Sequence, residues 1–302
     1  MRRTDYELWT LWKAAKQSGQ SKPEFALAHG LPAKTLEAKL RRGKLEEEFH
    51  QKHPEVVHWD EADPWTLTGD WMVVGDVHVP YTLWGFASLV AQVALKHMKP
   101  PRRLLIAGDL FSMDVFSSYP HETLPPTWAQ ERDAARALIT EWLTTFDEIR
   151  VLPGNHDVRL FKQLAGAMDT DDLLALIYTN VLKVKISPYG FCYINDDWIV
   201  THQRDYSKNQ LWVANALAHA EERNVMSFHE HHLSKGWDEY KNHVVVNGGC
   251  LVDERRVPYT KYTISKRPRW ARGFVMLRES APYVFGEEPF TDWSQWLPVK
   301  KV

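Results

Sequence analysis

Cysteine is scarce in this chain: Cys192 and Cys250 are the two thiols among 302 residues. Two thiols cannot staple a fold of this length, and no Cys-x-x-Cys pair offers a zinc knuckle or a redox motif. A reducing cytosol is the expected setting. Long apolar runs are missing too, with nothing near the roughly 20 residues that cross a bilayer. The first twenty residues interrupt their apolar positions with Asp5, Glu7, Lys13 and Lys16, which leaves no signal-peptide core. These absences predict a soluble, cytoplasmic protein. Net charge is almost absent: 37 Lys and Arg meet 39 Asp and Glu, giving −2. Global basicity therefore gives no argument for nucleic acid or an anionic membrane. Repeats and low-complexity tracts are lacking, and 44% hydrophobic with 25% charged residues is the balance of a folded chain.

The charge that exists is unevenly placed. Residues 1–44 hold ten Lys or Arg and four Asp or Glu, a local +6, which leaves −8 for the remainder. Leu8, Trp9, Leu11, Trp12 and Ala15 recur at helical spacing. Ser21-Lys-Pro-Glu24 then reads as a capping box with Pro in the first turn, opening a second helix that ends at Gly30. A third helix is expected over 33–42. Glu46 to Gly69 carries an acidic run, Pro54 and Pro64 and no clear period, so it reads as a linker.

From Trp71 onward, short buried-strand patterns alternate with helical ones. Strands are expected at 72–75, 104–107, 149–152, 198–201, 225–228, 244–246 and 274–277, with helices over 85–97, 131–146 and 209–222. Asn195-Asp196-Asp197 reads as the turn of a hairpin between 191–194 and 198–201. This alternation implies an α/β fold whose reactive groups sit at strand ends.

Polar motifs collect at the carboxyl ends of those strands. In chain order they are Gly75-Asp76-Val77-His78, Gly108-Asp109, Gly154-Asn155-His156-Asp157, Thr201-His202 and His229-Glu230-His231. Carboxylate, imidazole and amide oxygen without thiolate suit a catalytic divalent-metal site better than a structural zinc site.

This ordered series resembles the calcineurin-like metallophosphoesterase family over about Trp71 to Leu251. The resemblance implies a four-layer α/β/β/α sandwich with two metals. It puts Asp76, His78 and His231 on one metal and Asn155, His202 and His229 on the other. Asp109 bridges the two, and a shared anion is what two cations roughly 3.5 to 4 Å apart require. The implied nucleophile is a metal-bridging hydroxide. His156 is implied as general acid for the leaving oxygen or as a stabiliser of transferring charge, its ring oriented by Asp157 or a backbone carbonyl. Mn2+ is the expected metal, and Fe, Zn, Ni and Mg share the ligand preferences.

The series also departs from the family pattern. Ser112 and Asp114 follow Gly108-Asp109 where an acidic or amide residue is usual, and Phe228 stands where Gly usually precedes the last His-x-His. His232 adds a third imidazole, expected behind the ligands or at the surface. No Asp-Arg-Gly follows Gly108-Asp109, which points away from protein Ser/Thr phosphatases and toward diesterases and nucleases.

Residues 21–42 resemble a helix-turn-helix, with Lys34, Thr35, Lys39, Arg41 and Arg42 as candidate DNA contacts on the third helix. A small helical cap with a solvated basic face fits the same pattern. Arg159 and Arg204 are candidate clamps for a phosphate oxygen. The stretch from Arg255 to Arg272 mixes Arg and Lys with Tyr259, Tyr262 and Trp270, as a single-strand path would. Cys250 reads as a buried thiol. The expected organisation is a helix-turn-helix-like domain over 1–45, a linker over 46–70 and a metallophosphoesterase domain over 71–302. The expected function is metal-dependent hydrolysis of phosphodiesters in nucleic acid or a nucleotide. The alternatives are a phosphomonoesterase and a DNA-binding regulator with a scaffold metal domain.

Overall fold

The computed structural model describes residues 5–52, 63–117, 124–163, 172–173, 183–202, 205–258, 260 and 270–297. The chain divides into two compact units, 1–62 and 63–302. Among the described residues no helix is long and apolar enough to cross a membrane.

Three helices form the first unit: α1 (Asp5–Gln17), α2 (Lys22–Ala28) and α3 (Ala33–Lys52). The expected capping box is present, with the Ser21 hydroxyl accepting from Glu24 N and the Glu24 carboxylate accepting from Ser21 N. Leu8, Trp12, Phe25, Ala26, Leu36 and Leu40 make the core. The third helix does not end at Arg42 but continues to Lys52. Gly43 explains the continuation. A Cβ there would lie 2.2 Å from the Asp5 carbonyl oxygen, so the missing side chain lets α1 and α3 touch instead of breaking the helix. Trp9 Nε1 then donates to Glu47 at 2.8 Å, and Lys13 pairs with the same carboxylate. Two of the five candidate DNA contacts pair with Asp5: Lys39 Nζ and Arg42 Nε, at 2.8 and 2.5 Å. Lys34, Thr35, Arg41 and Arg42 are exposed and Lys39 is half-buried.

The second unit holds two six-stranded sheets. One runs β12-β11-β2-β3-β4-β5 and the other β1-β6-β7-β8-β10-β9. The strands are β1 (Thr66–Leu67), β2 (Trp71–Val74), β3 (Arg103–Ala107), β4 (Glu148–Leu152), β5 (Val184–Ile186), β6 (Phe191–Ile194), β7 (Trp198–His202), β8 (Asn224–Phe228), β9 (Leu233–Trp237), β10 (Val244–Gly248), β11 (Gly273–Arg278) and β12 (Ala281–Gly286). The helices are α4 (Trp84–His97), α5 (Trp128–Trp142), α6 (Arg159–Gln163), α7 (Trp212–Glu221) and α8 (Trp293–Trp296).

Period-two side-chain alternation produces the layers. Met72 and Val74 of β2, with Leu104 and Ile106 of β3, face the core shared with α4 and α5. Trp71, Val73, Leu105 and Ala107 face the opposite way, onto Trp198, Val200, Met226 and Phe228 of the second sheet. Ile199, Val225 and Val245 then pack against Ala214 and Ala218 of α7. The expected four-layer sandwich is therefore present. The predicted hairpin is also seen: β6 and β7 are antiparallel, joined through Asn195 and Asp196 at φ 53° and 58°.

The stretch expected as linker contains β1, which pairs in parallel with β6. Four strands carried no clear sequence signal: β1, β5, β9 and β12. β1, β5, β9 and β12 are the four sheet edges, where one side needs no partner and a continuous apolar run is not required. Pro282 inside β12 fits such an edge.

Candidate metal centre

Parallel strands β2, β3 and β4 deliver their carboxyl ends to one place, and the loops that follow are laced together. Asp76 N donates to Gly108 O at 3.0 Å and His78 N to Asp109 O at 2.9 Å. His156 N donates to Asp109 Oδ1 and His229 N to Asp76 Oδ2, both at 2.8 Å. Five of the seven candidate ligands sit at positive φ: Asp76, His78, Asp109, His229 and His231, from 48° to 89°. Such backbone is costly for residues with a Cβ and persists where surroundings over-determine it, as at functional sites.

Glycines make the approach possible. A Cβ on Gly108 would fall 2.2 Å from the His202 ring, and one on Gly154 would fall 2.1 Å from Asp109 Oδ1. Phe228 is resolved in the same way. Its ring is buried between the sheets in the space that Cβ atoms on Gly75 and Gly248 would fill. It does not reach the cleft, as a ring near the substrate would.

Six of the seven expected ligands, together with His156, gather in three overlapping groups of atoms that could hold a metal: Asp76, His78 and His231; His78, Asp109 and His156; Asp109, His202 and His229. Asp76 Oδ1 lies 3.0 Å from His231 Nε2. Asp109 Oδ2 lies 3.2 Å from His202 Nε2 and 3.5 Å from His78 Nε2. Asn155 Oδ1 is 3.1 Å from His202 Nε2, which places it with the third group. His202 Nδ1 donates to the Ala107 carbonyl at 3.0 Å, and this leaves Nε2 facing the carboxylate.

Charge and hydrogen bonding both suit cations. Burial alone would raise the Asp76 carboxyl, yet His231 and His202 override it and hold it well below the carboxylate range. Burial likewise opposes ionised Asp109, and the charge and hydrogen bond of His202 reverse that, lowering it. Against its own burial, His202 is pushed up to about 9 by Asp109 and Asp76. His231 rises well above its ordinary value, burial again being outweighed by Asp76. Two buried carboxylates are thus kept ionised by positive neighbours, a role divalent metals fill equally. His78 Nε2 is buried without a hydrogen-bond partner, as an atom reserved for a metal would be. The donor set fits.

His156 is expected as general acid or as a stabiliser of transferring charge, and its hydrogen bonds bear on that choice. Its Nδ1 donates to the Ser112 carbonyl at 2.7 Å, so the proton lies on that side. Nε2 accepts from Arg159 Nη2 at 3.0 Å. Burial pushes this imidazole down to about 3, and Arg159 and His78 add to the effect against Asp109. The ring is neutral and the positive charge beside it belongs to Arg159. That guanidinium is pinned by the Ser112 carbonyl at 3.0 Å and Asp114 Oδ1 at 3.3 Å, while Tyr81 Oη donates to Asp114 Oδ2 at 3.1 Å. Asp157 does not orient His156. Its buried carboxylate accepts from Gly154 N, Phe111 N and Leu110 N, tying two of the loops together.

Other expectations fare unevenly. Arg204 lies outside the described residues, as do Tyr259 and 261–269. Arg272 pairs with Glu254 and Glu287 and is spent within the fold, whereas Arg255 pairs with Asp253 and stays exposed. His232 is buried, not on the surface, and Cys250 is a buried thiol as expected. Sequence reasoning missed Tyr81 and Tyr206, which line the cleft with Ser112, Asp114, Val252, Val257 and Trp270. Neither belongs to a motif, so no local signal marked it.

The sandwich and the carboxylates and imidazoles clustered at its strand ends are those of the metallophosphoesterase class. The calcineurin-like phosphoesterase family matches residues 71–258, and the chain belongs to that family. Similar solved structures include Vps29 from Chaetomium thermophilum, 11% identical over 72% of this chain and 96% of that one, with a TM-score of 0.38. Vps29 from Entamoeba histolytica, complexed with zinc, is 12% identical over 72% and 98%, with a TM-score of 0.33. A predicted phosphoesterase from Streptococcus pneumoniae TIGR4 is 14% identical over 72% and 98%, with a TM-score of 0.30. A search among curated proteins returned no match.

Proposed function

We propose that the protein is a two-metal phosphodiesterase acting on a nucleotide or nucleic-acid phosphodiester. Asp76, His78 and His231 hold one metal, and Asn155, His202 and His229 hold the other. Asp109 is their common ligand. The observation that carries this reading is the Asp109 carboxylate, whose Oδ2 is within 3.5 Å of an imidazole from each cluster. Bound divalent cations supply Lewis acidity to the phosphoryl oxygens and acidify water for the attack. The chain supplies the rest. Ala107 O holds the His202 ring through Nδ1, and the loops carry five of the ligands at positive φ. His156 with Arg159 offers stabilisation to charge moving onto the leaving oxygen, which replaces the general-acid role. No Asp-Arg-Gly follows Gly108-Asp109, which points away from protein Ser/Thr phosphatases, and a phosphomonoesterase on small molecules is the alternative reading.

The test uses full-length protein stripped with chelator and reloaded with Mn2+, Zn2+ or Mg2+. Substrates are bis-p-nitrophenyl phosphate, p-nitrophenyl phosphate, and labelled single- and double-stranded DNA. Activity should return with metal, and Asp109→Asn should lower it by about 10³ or more while reducing the bound metal count. Full activity in Asp109→Asn overturns the bridging role, and selective monoester cleavage reverses the substrate ranking.

A further inference from the structure

The cleft over the metal-ligand cluster has two unlike flanks. One is polar, formed by Ser112, Asp114 and His156. The other is apolar: Tyr81, Val252 and Val257 belong to one buried cluster, and Trp270 packs against it. The Trp270 ring lies 4.4 Å from the His231 ring, beside a candidate ligand. Tyr206 lines the same cleft with its side chain 59% exposed. The space between is about 180 Å³, a small volume suited to a single planar group. Among the described residues the apolar flank includes no Lys or Arg, and Arg159 stands behind His156 on the polar one. A path for a nucleic-acid strand needs cations along the backbone, because phosphate neutralisation dominates such affinity. This wall offers rings and methyl groups instead.

We propose that Trp270 and Tyr206 form a stacking subsite for one nucleobase, which makes the substrate a phosphodiester of mononucleotide size. The proposal rests on the phosphodiesterase reading above and narrows its substrate. The base stacks on Trp270 and leans on the Val252 and Val257 wall, and Tyr206 covers its outer side. Stacking tolerates every base, since each has a π face, so the subsite selects for the presence of a base over its identity.

Two esters with the same leaving group and scissile bond test this: thymidine 5′-p-nitrophenyl phosphate and methyl p-nitrophenyl phosphate, with metal-loaded protein. The unaltered protein should prefer the thymidine ester by about ten-fold or more in kcat/KM, the range expected of one base on one ring. Trp270→Ala should erase the preference by acting on the thymidine ester alone, and Trp270→Phe should keep most of it. Tyr206→Ala, at an exposed position where folding is not at stake, should remove part of it. Calorimetry with thymidine 5′-monophosphate and methyl phosphate supplies the same comparison as binding. No preference in the unaltered protein, or a preference that survives both alanine variants, overturns the proposal. So does affinity for oligothymidylate that rises about 100-fold between two and about twenty residues, which would mean a strand path. If neither ester is hydrolysed, the phosphodiesterase reading fails, and the calorimetric comparison still decides the subsite.

Discussion

Glu131 gives a sharp pH prediction. It sits on α5 with no exposed surface, and its Oε2 accepts the Met113 N–H at 2.7 Å. Burial, with repulsion from Asp114, pushes its carboxyl up to about 8. An acid whose folded value exceeds its unfolded one binds its proton more tightly when folded. Its contribution is full below the ordinary 4.5 and declines as pH climbs to about 8. At about 1.4 kcal/mol per unit, the loss across that window is on the order of 3 to 5 kcal/mol. Glu131→Gln keeps an acceptor for Met113 and cannot ionise. Urea unfolding of both proteins from pH 5 to 9 should give similar stabilities at pH 5 and a variant that is increasingly the more stable toward pH 9. A difference that stays constant with pH would refute the reasoning. The turn concerned includes Met113, at φ 50°, and follows the Ser112 carbonyl that holds His156 and Arg159. Ionising Glu131 should therefore also loosen the substrate flank, and proteolysis within 112–117 should quicken in the unaltered protein above pH 8.

Two further substitutions probe the centre. Gly108→Ala places a Cβ against the His202 ring at a backbone φ of 83°; strain and displacement together should cost about 2 kcal/mol or more and weaken Mn2+ binding at least ten-fold by calorimetry. Metal affinity within two-fold of the unaltered protein would show that His202 is not a ligand. Arg159→Met should lower kcat by about 10² with little change in metal content, as expected for loss of a charged donor near the leaving oxygen. The nitrogen NMR shifts of the His156 ring should change in the same variant, and unchanged shifts with full kcat would remove Arg159 from the mechanism.

Much of this molecule is local and was legible. The capping box at Ser21 works through three residues, and the hairpin at Asn195 needs only a turn tolerant of positive φ. The eight central strands each carry apolar character on both faces, so their runs stand out before any packing is known. Because parallel strands share one direction, the motifs at their carboxyl ends had to meet, which is why the ligand set could be read in order.

Packing decided the rest. Gly43 reads as a helix end until the close approach of Asp5 shows it to be the point where two helices touch. Phe228 reads as a departure beside the metals until Gly75 and Gly248, far apart in the chain, open a slot for its ring between the sheets. Lys39 and Arg42 read as two free cations, and only the fold shows that both pair with Asp5. His156 has the composition of an acid, and only the Ser112 carbonyl and Arg159 settle where its proton sits. Sequence alone determined which groups could act here, because residue type and strand periodicity are properties of short stretches. Tertiary structure alone decided what each group faces, because burial, partner and charge are set by residues distant along the chain.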